Sequence, residues 1–277
     1  MTTLKLDKLG NLYSQSFNEI DIPDVTDGLV ARWPFNNTLV DTVGGNDATK
    51  KDANVSLTTN RIGEANSAYQ LDNVDVSYKI QIPSSTALYE VGDLTFCCLC
   101  RVDESSPQSF IMCHYNWSFY IQTTKLSFRA GRFTDSNGPS YAIDADLPDI
   151  GKWYFLTGLY HPDPINGWGY LEFYVNGTLV NTVDIDNREI YTGYGTYDLQ
   201  WGNSGHGAAV PFVGAIGESR IYNRILIDNE IKTLSRNIIA RADRIECLEF
   251  IEDDTLPVQA RFTNKGQVIV KKELIEV

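Results

Sequence analysis

Positive charge is scarce in this chain. Its 277 residues include 23 Lys and Arg against 36 Asp and Glu, a formal net charge of −13. A protein that binds nucleic acid through its phosphates presents a basic face, and no stretch here holds more than two or three basic residues together. Nucleic acid is therefore not an expected partner, whereas neutral, cationic or protein partners are. Long apolar runs are also missing: none approaches the roughly 20 residues that cross a bilayer, so no membrane insertion is expected. Residues 1–10 alternate charge with leucine and lack the apolar centre of a secretion signal, so export by the general route is not expected. Cysteine is limited to positions 97, 98, 100, 113 and 247. An adjacent pair and an odd total argue against a disulfide framework and for assembly in a reducing cytoplasm. Histidine is limited to His114, His161 and His206, and no serine sits in a Gly-x-Ser-x-Gly elbow. Nothing thus marks a nucleophilic triad, and no catalytic residue is expected.

What is present is a globular composition, 43% hydrophobic and 21% charged. Between about residues 28 and 236, many short β-runs are cut by Gly, Asn, Asp and Pro. This pattern predicts an all-β sandwich or jelly roll. Leu171, Phe173 and Val175 share one face of a strand, and Asn176-Gly177 supplies the positive φ angles of a tight hairpin. The aromatic-rich run from Lys152 to Tyr160 reads as a core neighbour of that hairpin. At residues 227–235 the period changes to that of one short helix, with Ile231 and Leu234 on its buried side and Asp228 placed to cap it.

Four blocks carry a resemblance. Gly28 to Asn37 with Asp41 and Gly44-Gly45-Asn46-Asp47-Ala48 form the first, and Trp153 with its strand the second. The hairpin through Asn176-Gly177 is the third, and Gly214 to Glu218 with Arg220-Ile221-Tyr222-Asn223-Arg224 and Glu230-Ile231 the fourth. In order and spacing they resemble a laminin-G-like domain of the concanavalin A-like jelly-roll superfamily, over residues 28–236. The resemblance implies two antiparallel sheets packed face to face, with loops gathered at the rim.

It also implies a calcium ion at the rim, held through Asn36, Asp41, Asn46 and Glu218. Asn36 stands where the family often has Asp, and Gly217 where an Asp commonly precedes Glu218. The alternative reading is that Asp41 and Asn46 shape a turn. Glu19-Ile20-Asp21-Ile22-Pro23-Asp24 resembles the start of the catalytic motif of laminarinase-type glucanases. Its third carboxylate is displaced by Pro23-Asp24 and it precedes the jelly roll, so a linker is expected and glycan cleavage is not. For carbohydrate, exposed aromatic rings and hydrogen-bonding side chains would be needed. The candidates are Trp117 with Tyr115, Trp168 with Tyr170, and Tyr191 to Trp201 including Tyr194 and Tyr197, the last set in a Gly-rich stretch; for Trp117 and Trp201, burial between the sheets is the competing reading, while Trp33 and Trp153 are expected in the core. The cysteines at 97, 98, 100 and 113 read as small core residues rather than zinc ligands, with Cys98 and Cys100 on one strand face and Cys97 on the other.

The flanks, residues 1–27 and 237–277, share a spacing. Leu12 is followed by Phe17, Ile245 by Phe250, and Ile269 by Leu274, each pair five residues apart with Glu two further on. These segments are expected to be assembly strands, and they resemble strand elements beside jelly rolls in bacteriophage virion proteins. The expected role is a virion structural protein of head, neck or tail. It would be built from itself and other virion proteins, assembled in the host cytoplasm, and would display an adhesion module toward host-surface polysaccharide. A free lectin is the alternative.

Overall fold

The computed structural model describes residues 2–6, 12–16, 24–50, 54–61, 63–72, 80–83, 88, 92–106, 108–114, 117–131, 140–146, 149–162, 168–186, 198–202, 211–240, 258–262 and 268–272. Its strands are β1 (Thr2–Leu6), β2 (Leu12–Ser16), β3 (Leu29–Trp33), β4 (Thr49–Lys50), β5 (Ser56–Thr58), β6 (Ala68–Leu71) and β7 (Ile80–Ile82). They continue with β8 (Leu94–Val102), β9 (Ser109–His114), β10 (Trp117–Gln122), β11 (Lys125–Gly131), β12 (Ser140–Asp146) and β13 (Trp153–His161). β14 (Trp168–Val175), β15 (Thr178–Asp186), β16 (Leu199–Trp201), β17 (Gly214–Tyr222), helix α1 (Asp228–Ala240), β18 (Val258–Phe262) and β19 (Val268–Lys272) complete the order. Among the described residues no helix is long and apolar enough to cross a membrane.

The chain divides into two compact units, one spanning Asp24–Ile239 and one combining Met1–Pro23 with Ala240–Val277. The first is the sandwich. A seven-stranded antiparallel sheet runs β12-β11-β10-β9-β16-β7-β4, and a second runs β15-β14-β13-β8-β17-β6-β5 with β3 as an eighth member along β17. Their inner faces share one core: Phe119 and Phe128 of the first sheet meet Phe173 of the second at ring separations of 6.0 and 6.2 Å. The expected two-sheet sandwich is thus what the chain forms, with one short helix among the described residues.

The central strands of the second sheet are apolar on both sides because both sides are covered. In β8, Phe96, Cys98 and Cys100 enter the inter-sheet core, while Cys97 and Leu99 enter an outer cluster with Phe155, Leu159 and Tyr222. Helix α1 closes that cluster with Ile231 and Leu234, the two residues its periodicity assigns to the buried side. All four described cysteines are free and buried, with the two faces of β8 divided as the alternation requires. Burial pushes the thiols of Cys97, Cys98 and Cys113 up to about 12, so they pack as apolar groups and are poor nucleophiles.

The helix start differs from expectation. Asp228 is the first helical residue and pairs with Lys232 one turn on, instead of capping. The cap is Ile227, whose amide donates to Glu230 Oε2 at 3.0 Å, the returning half of a capping box. Arg224 grips the same carboxylate at 2.6 and 2.7 Å, which fixes Glu230 for the task and explains why a nominally poor cap residue serves.

The predicted hairpin is present. Asn176 and Gly177 take φ of 53° and 74° between β14 and β15, as a type I′ turn needs, and Asn176 Oδ1 accepts the Phe155 amide at 2.9 Å, tying the turn to β13. At Gly214 the constraint is close approach: a Cβ there would lie 2.0 Å from the Arg101 carbonyl oxygen. Gly214→Ala must push β17 from β8, and a loss of about 1–3 kcal/mol is expected in urea denaturation.

The second unit contains two hairpins. β1 pairs with β2 and β18 with β19, both antiparallel. Of the assembly residues read from the sequence, Leu12 opens β2 opposite Leu6, and Ile269 sits in β19 opposite Arg261. Phe17, Ile245, Phe250 and Leu274 lie outside the described residues.

Candidate functional site

Three strands at one end of the eight-stranded sheet, β13, β14 and β15, contain no lysine or arginine. Strand alternation sends Leu171, Phe173 and Ile185 into the core, so Tyr170, Glu172 and Asp184 are left on the outer face. Cross-strand register aligns them: His161 lies opposite Tyr170, Tyr170 opposite Asp184, and Glu172 opposite Thr182.

The side chains assemble accordingly. The His161 ring stacks on Tyr170 with centroids 4.7 Å apart. His161 Nδ1 lies 2.7 Å from Asp93 Oδ1, with side chains 35% and 40% exposed and Nδ1 itself covered, so the pair is half-buried. Glu172 is held from both sides, accepting from the Tyr174 hydroxyl at 2.8 Å and the Thr182 hydroxyl at 3.3 Å. Burial first, then the charges of Glu172 and Asp93, raise the Tyr170 phenol above its ordinary value. Asp184 is exposed beside them. The arrangement is a half-open aromatic surface with a fixed carboxylate, flanking acids and hydroxyls. It offers stacking and hydrogen-bond acceptance.

Of the aromatic residues singled out in the sequence, Tyr170 lies on this face and two tryptophans are buried. Trp117 is 4% exposed and stacks on Phe96 at 3.8 Å between the sheets. Trp201 is fully buried against Trp33 and Phe35. Neither offers a face to a ligand, because both occupy inward positions of their strands. Trp168 opens β14 and is described as backbone only, while Tyr194 and Tyr197 lie outside the described residues. Trp33 is in the core as expected; Trp153 is only partly buried, with the Arg101 guanidinium 5.6 Å above its ring. Of the glucanase-like segment, Glu19 to Pro23 lie outside the described residues, and Asp24 is an ion-pair partner.

The four residues expected around calcium do not form an oxygen cage. Asp41 Oδ1 accepts the amides of Arg32 and Val43 at 2.9 and 3.0 Å, and Oδ2 accepts the amide and side chain of Asn46, each at 3.0 Å. Asn36 Oδ1 accepts from Ser67, and Glu218 faces the guanidinium groups of Arg32 and Arg220. Among the described residues no group of three or more His, Cys, Asp or Glu is placed to hold a metal ion. Asp41 and Asn46 are a turn, in which donors occupy the lone pairs a cation would use.

Asp41 has a measurable consequence. Burial alone would raise its carboxyl, but the amides of Arg32, Asn46 and Val43 and the Asn46 side chain hold it below the ordinary value. A carboxyl depressed by folding stabilises fully above its unfolded value, near pH 4, and loses that contribution as pH falls through the folded value. Denaturation across acidic pH should therefore show part of the acid loss disappearing in Asp41→Asn, together with about 1–3 kcal/mol lost at neutral pH.

A second network lies where β3 meets β17. Arg220, only 3% exposed, reaches Asp24 at 2.6 Å and Glu218 at 2.5 Å, and Arg32 bridges the same acids at 3.3 and 2.9 Å. Tyr222 Oη donates to the Val25 carbonyl at 3.0 Å. These contacts bind the stretch from Asp24 into the sandwich, which is why that unit begins at 24 and not at 28. They neutralise one another and make a structural clasp.

With fold and sites in place, the class is defined: residues 75–232, more than half the chain, match the profile of the concanavalin A-like lectin/glucanases superfamily, and the chain belongs to it. Among solved structures it is similar to the binding domain of botulinum neurotoxin DC in complex with rat synaptotagmin II, with 21% identity and a TM-score of 0.57 over 76% of this chain and 52% of that one. The binding domain of botulinum neurotoxin serotype D gives 17% identity and a TM-score of 0.56 over 76% and 51%. That of Paraclostridial Mosquitocidal Protein 1 gives 13% and 0.55 over 89% and 64%. The chain spans about half the length of the neurotoxin structures, and the likeness is one of fold. No curated protein matches it.

Proposed function

We propose that this chain is a non-enzymatic binding module displayed on a bacteriophage particle. The sandwich recognises host-surface glycan, and the terminal hairpins fasten it to further copies or to other virion proteins. The observation that carries this reading is the division of the chain: Asp24–Ile239 closes its own core, whereas both chain ends go into a separate unit. A lone two-stranded hairpin is marginal in water, so β1–β2 and β18–β19 gain most from additional pairing, and the outer edge of a hairpin is a template for it. Free buried cysteines support manufacture in a reducing cytoplasm with release by lysis. The net charge of −13 supports solubility at high copy number and disfavours nucleic acid as the ligand. The superfamily includes lectins, and the half-open aromatic face on β13, β14 and β15 supports recognition over catalysis. An antibody raised against the sandwich should decorate purified particles in electron micrographs. Undecorated particles, with the protein recovered as a soluble glycan-binding monomer, would make it a free lectin instead.

A further inference from the structure

We infer that the outer face of β13, β14 and β15 binds a saccharide bearing protonated amines, an amino-sugar glycan whose amines are not acetylated. This rests on the reading of the sandwich as a glycan-recognition body and specifies its ligand chemistry.

The first ground is charge. Asp93, Glu172 and Asp184 lie around Tyr170, the three strands contribute no Lys or Arg, and His161 is the basic side chain these strands bring to the group, against Asp93. A cluster with this excess of carboxylate over an aromatic ring is complementary to an ammonium group, which gains from the ring face as well as from the acids. The second ground is preorganisation. Glu172 is fixed by the Tyr174 and Thr182 hydroxyls, and Tyr170 is braced by His161, so neither must be ordered when a ligand arrives. The third ground separates sugar from peptide. An extended peptide would gain affinity from main-chain hydrogen bonds at a sheet edge such as that of β15, whereas on this face the main-chain groups of β13 and β14 are already paired, from Leu156 to His161 and from Trp168 to Val175. The face offers only an aromatic plane, acceptors and hydroxyls, the set that suits the C–H face and polar rim of a pyranose.

The test is calorimetric titration of the intact chain near pH 7 with three probes: glucosamine oligosaccharide, its N-acetylated counterpart, and oligolysine of similar length. The glucosamine oligomer should bind, with affinity falling as salt is added, and the N-acetylated form at least about tenfold more weakly. Glu172→Gln and Asp184→Asn should each weaken binding by about tenfold. Tyr170→Ala should abolish it, while Tyr170→Phe should retain it; unchanged melting temperatures would show that the variants stay folded. Oligolysine binding as tightly as the amino sugar would overturn the saccharide assignment in favour of a plain cation site. Glycan binding that ignores acetylation and survives Tyr170→Ala would overturn this site while leaving the recognition module intact. Failure of all probes and of a broad glycan array would remove both.

Discussion

Replacing Trp201 by alanine is expected to destabilise the sandwich by about 4 kcal/mol and to lower its melting temperature by roughly 10 °C. Trp201 is fully buried, and its ring meets Trp33 and Phe35 edge-on, each at 5.2 Å. Phe35 passes the contact to Tyr69 at 5.9 Å. The indole Nε1 donates to Ser219 Oγ at 3.1 Å, so truncation removes a hydrogen bond across the core as well as one of its largest rings. It also leaves a cavity whose lining is fixed by β3, the loop after it and β17, and cannot collapse freely. Trp201→Phe keeps a ring and loses the hydrogen bond and part of the contact; a loss of about 1–2 kcal/mol is expected. Urea denaturation reads both. The outcome that would sink this placement is a Trp201→Ala protein of ordinary stability that has lost glycan binding, the pattern of a surface ligand contact.

Arg220→Ala is expected to cost about 3–5 kcal/mol, the range for removing one partner of a buried ion pair. Its guanidinium serves Asp24, Glu218 and the Tyr222 hydroxyl together. Without it Arg32 alone faces both acids, and from a more exposed position. Arg220→Lys keeps the charge but not the planar fork and is expected to recover only part of the loss. The pH dependence gives a sharper reading. Burial would raise the Asp24 carboxyl, but the hydrogen bond and charge of Arg220 and the charge of Arg32 hold it below the ordinary value. Its stabilisation is therefore complete above about pH 4 and lost as pH falls through the depressed value. In Arg220→Ala the acid-side slope of stability should flatten. An unchanged slope would mean that the clasp is not what holds Asp24.

How far the sequence anticipates this structure depends on the range of the interaction involved. The β14–β15 hairpin is legible because Asn176 and Gly177 meet a local requirement that few residue pairs satisfy. The two-faced burial of Cys97 and Cys98 is legible from alternation alone. The helix is legible as an element, but its cap is not: Glu230 acts there because Arg224 braces it across six residues. For Trp201, an aromatic in a Gly-rich neighbourhood, and for Trp117, beside Tyr115-Asn116, the sequence is compatible with rim or core, and only the sheet pairing decides. Asp41 and Glu218 match calcium positions by residue type, yet the Arg32 amide on Asp41 and the Arg32 guanidinium on Glu218 reach them from β3. Of the acid–aromatic face, Tyr170 is singled out in the sequence beside Trp168, but its partners Asp93, His161 and Asp184 go unrecognised because they belong to other strands or loops. One signal was available: three consecutive strands without a basic residue, the middle one placing Trp168, Tyr170, Glu172 and Tyr174 at alternate positions.

The division between a recognition body and an attaching pair of chain ends is tested most directly by light scattering on the intact chain beside a chain trimmed to residues 24–239. The intact chain should have the mass of an oligomer and the trimmed one that of a folded monomer. Two monomers of equal stability would contradict it.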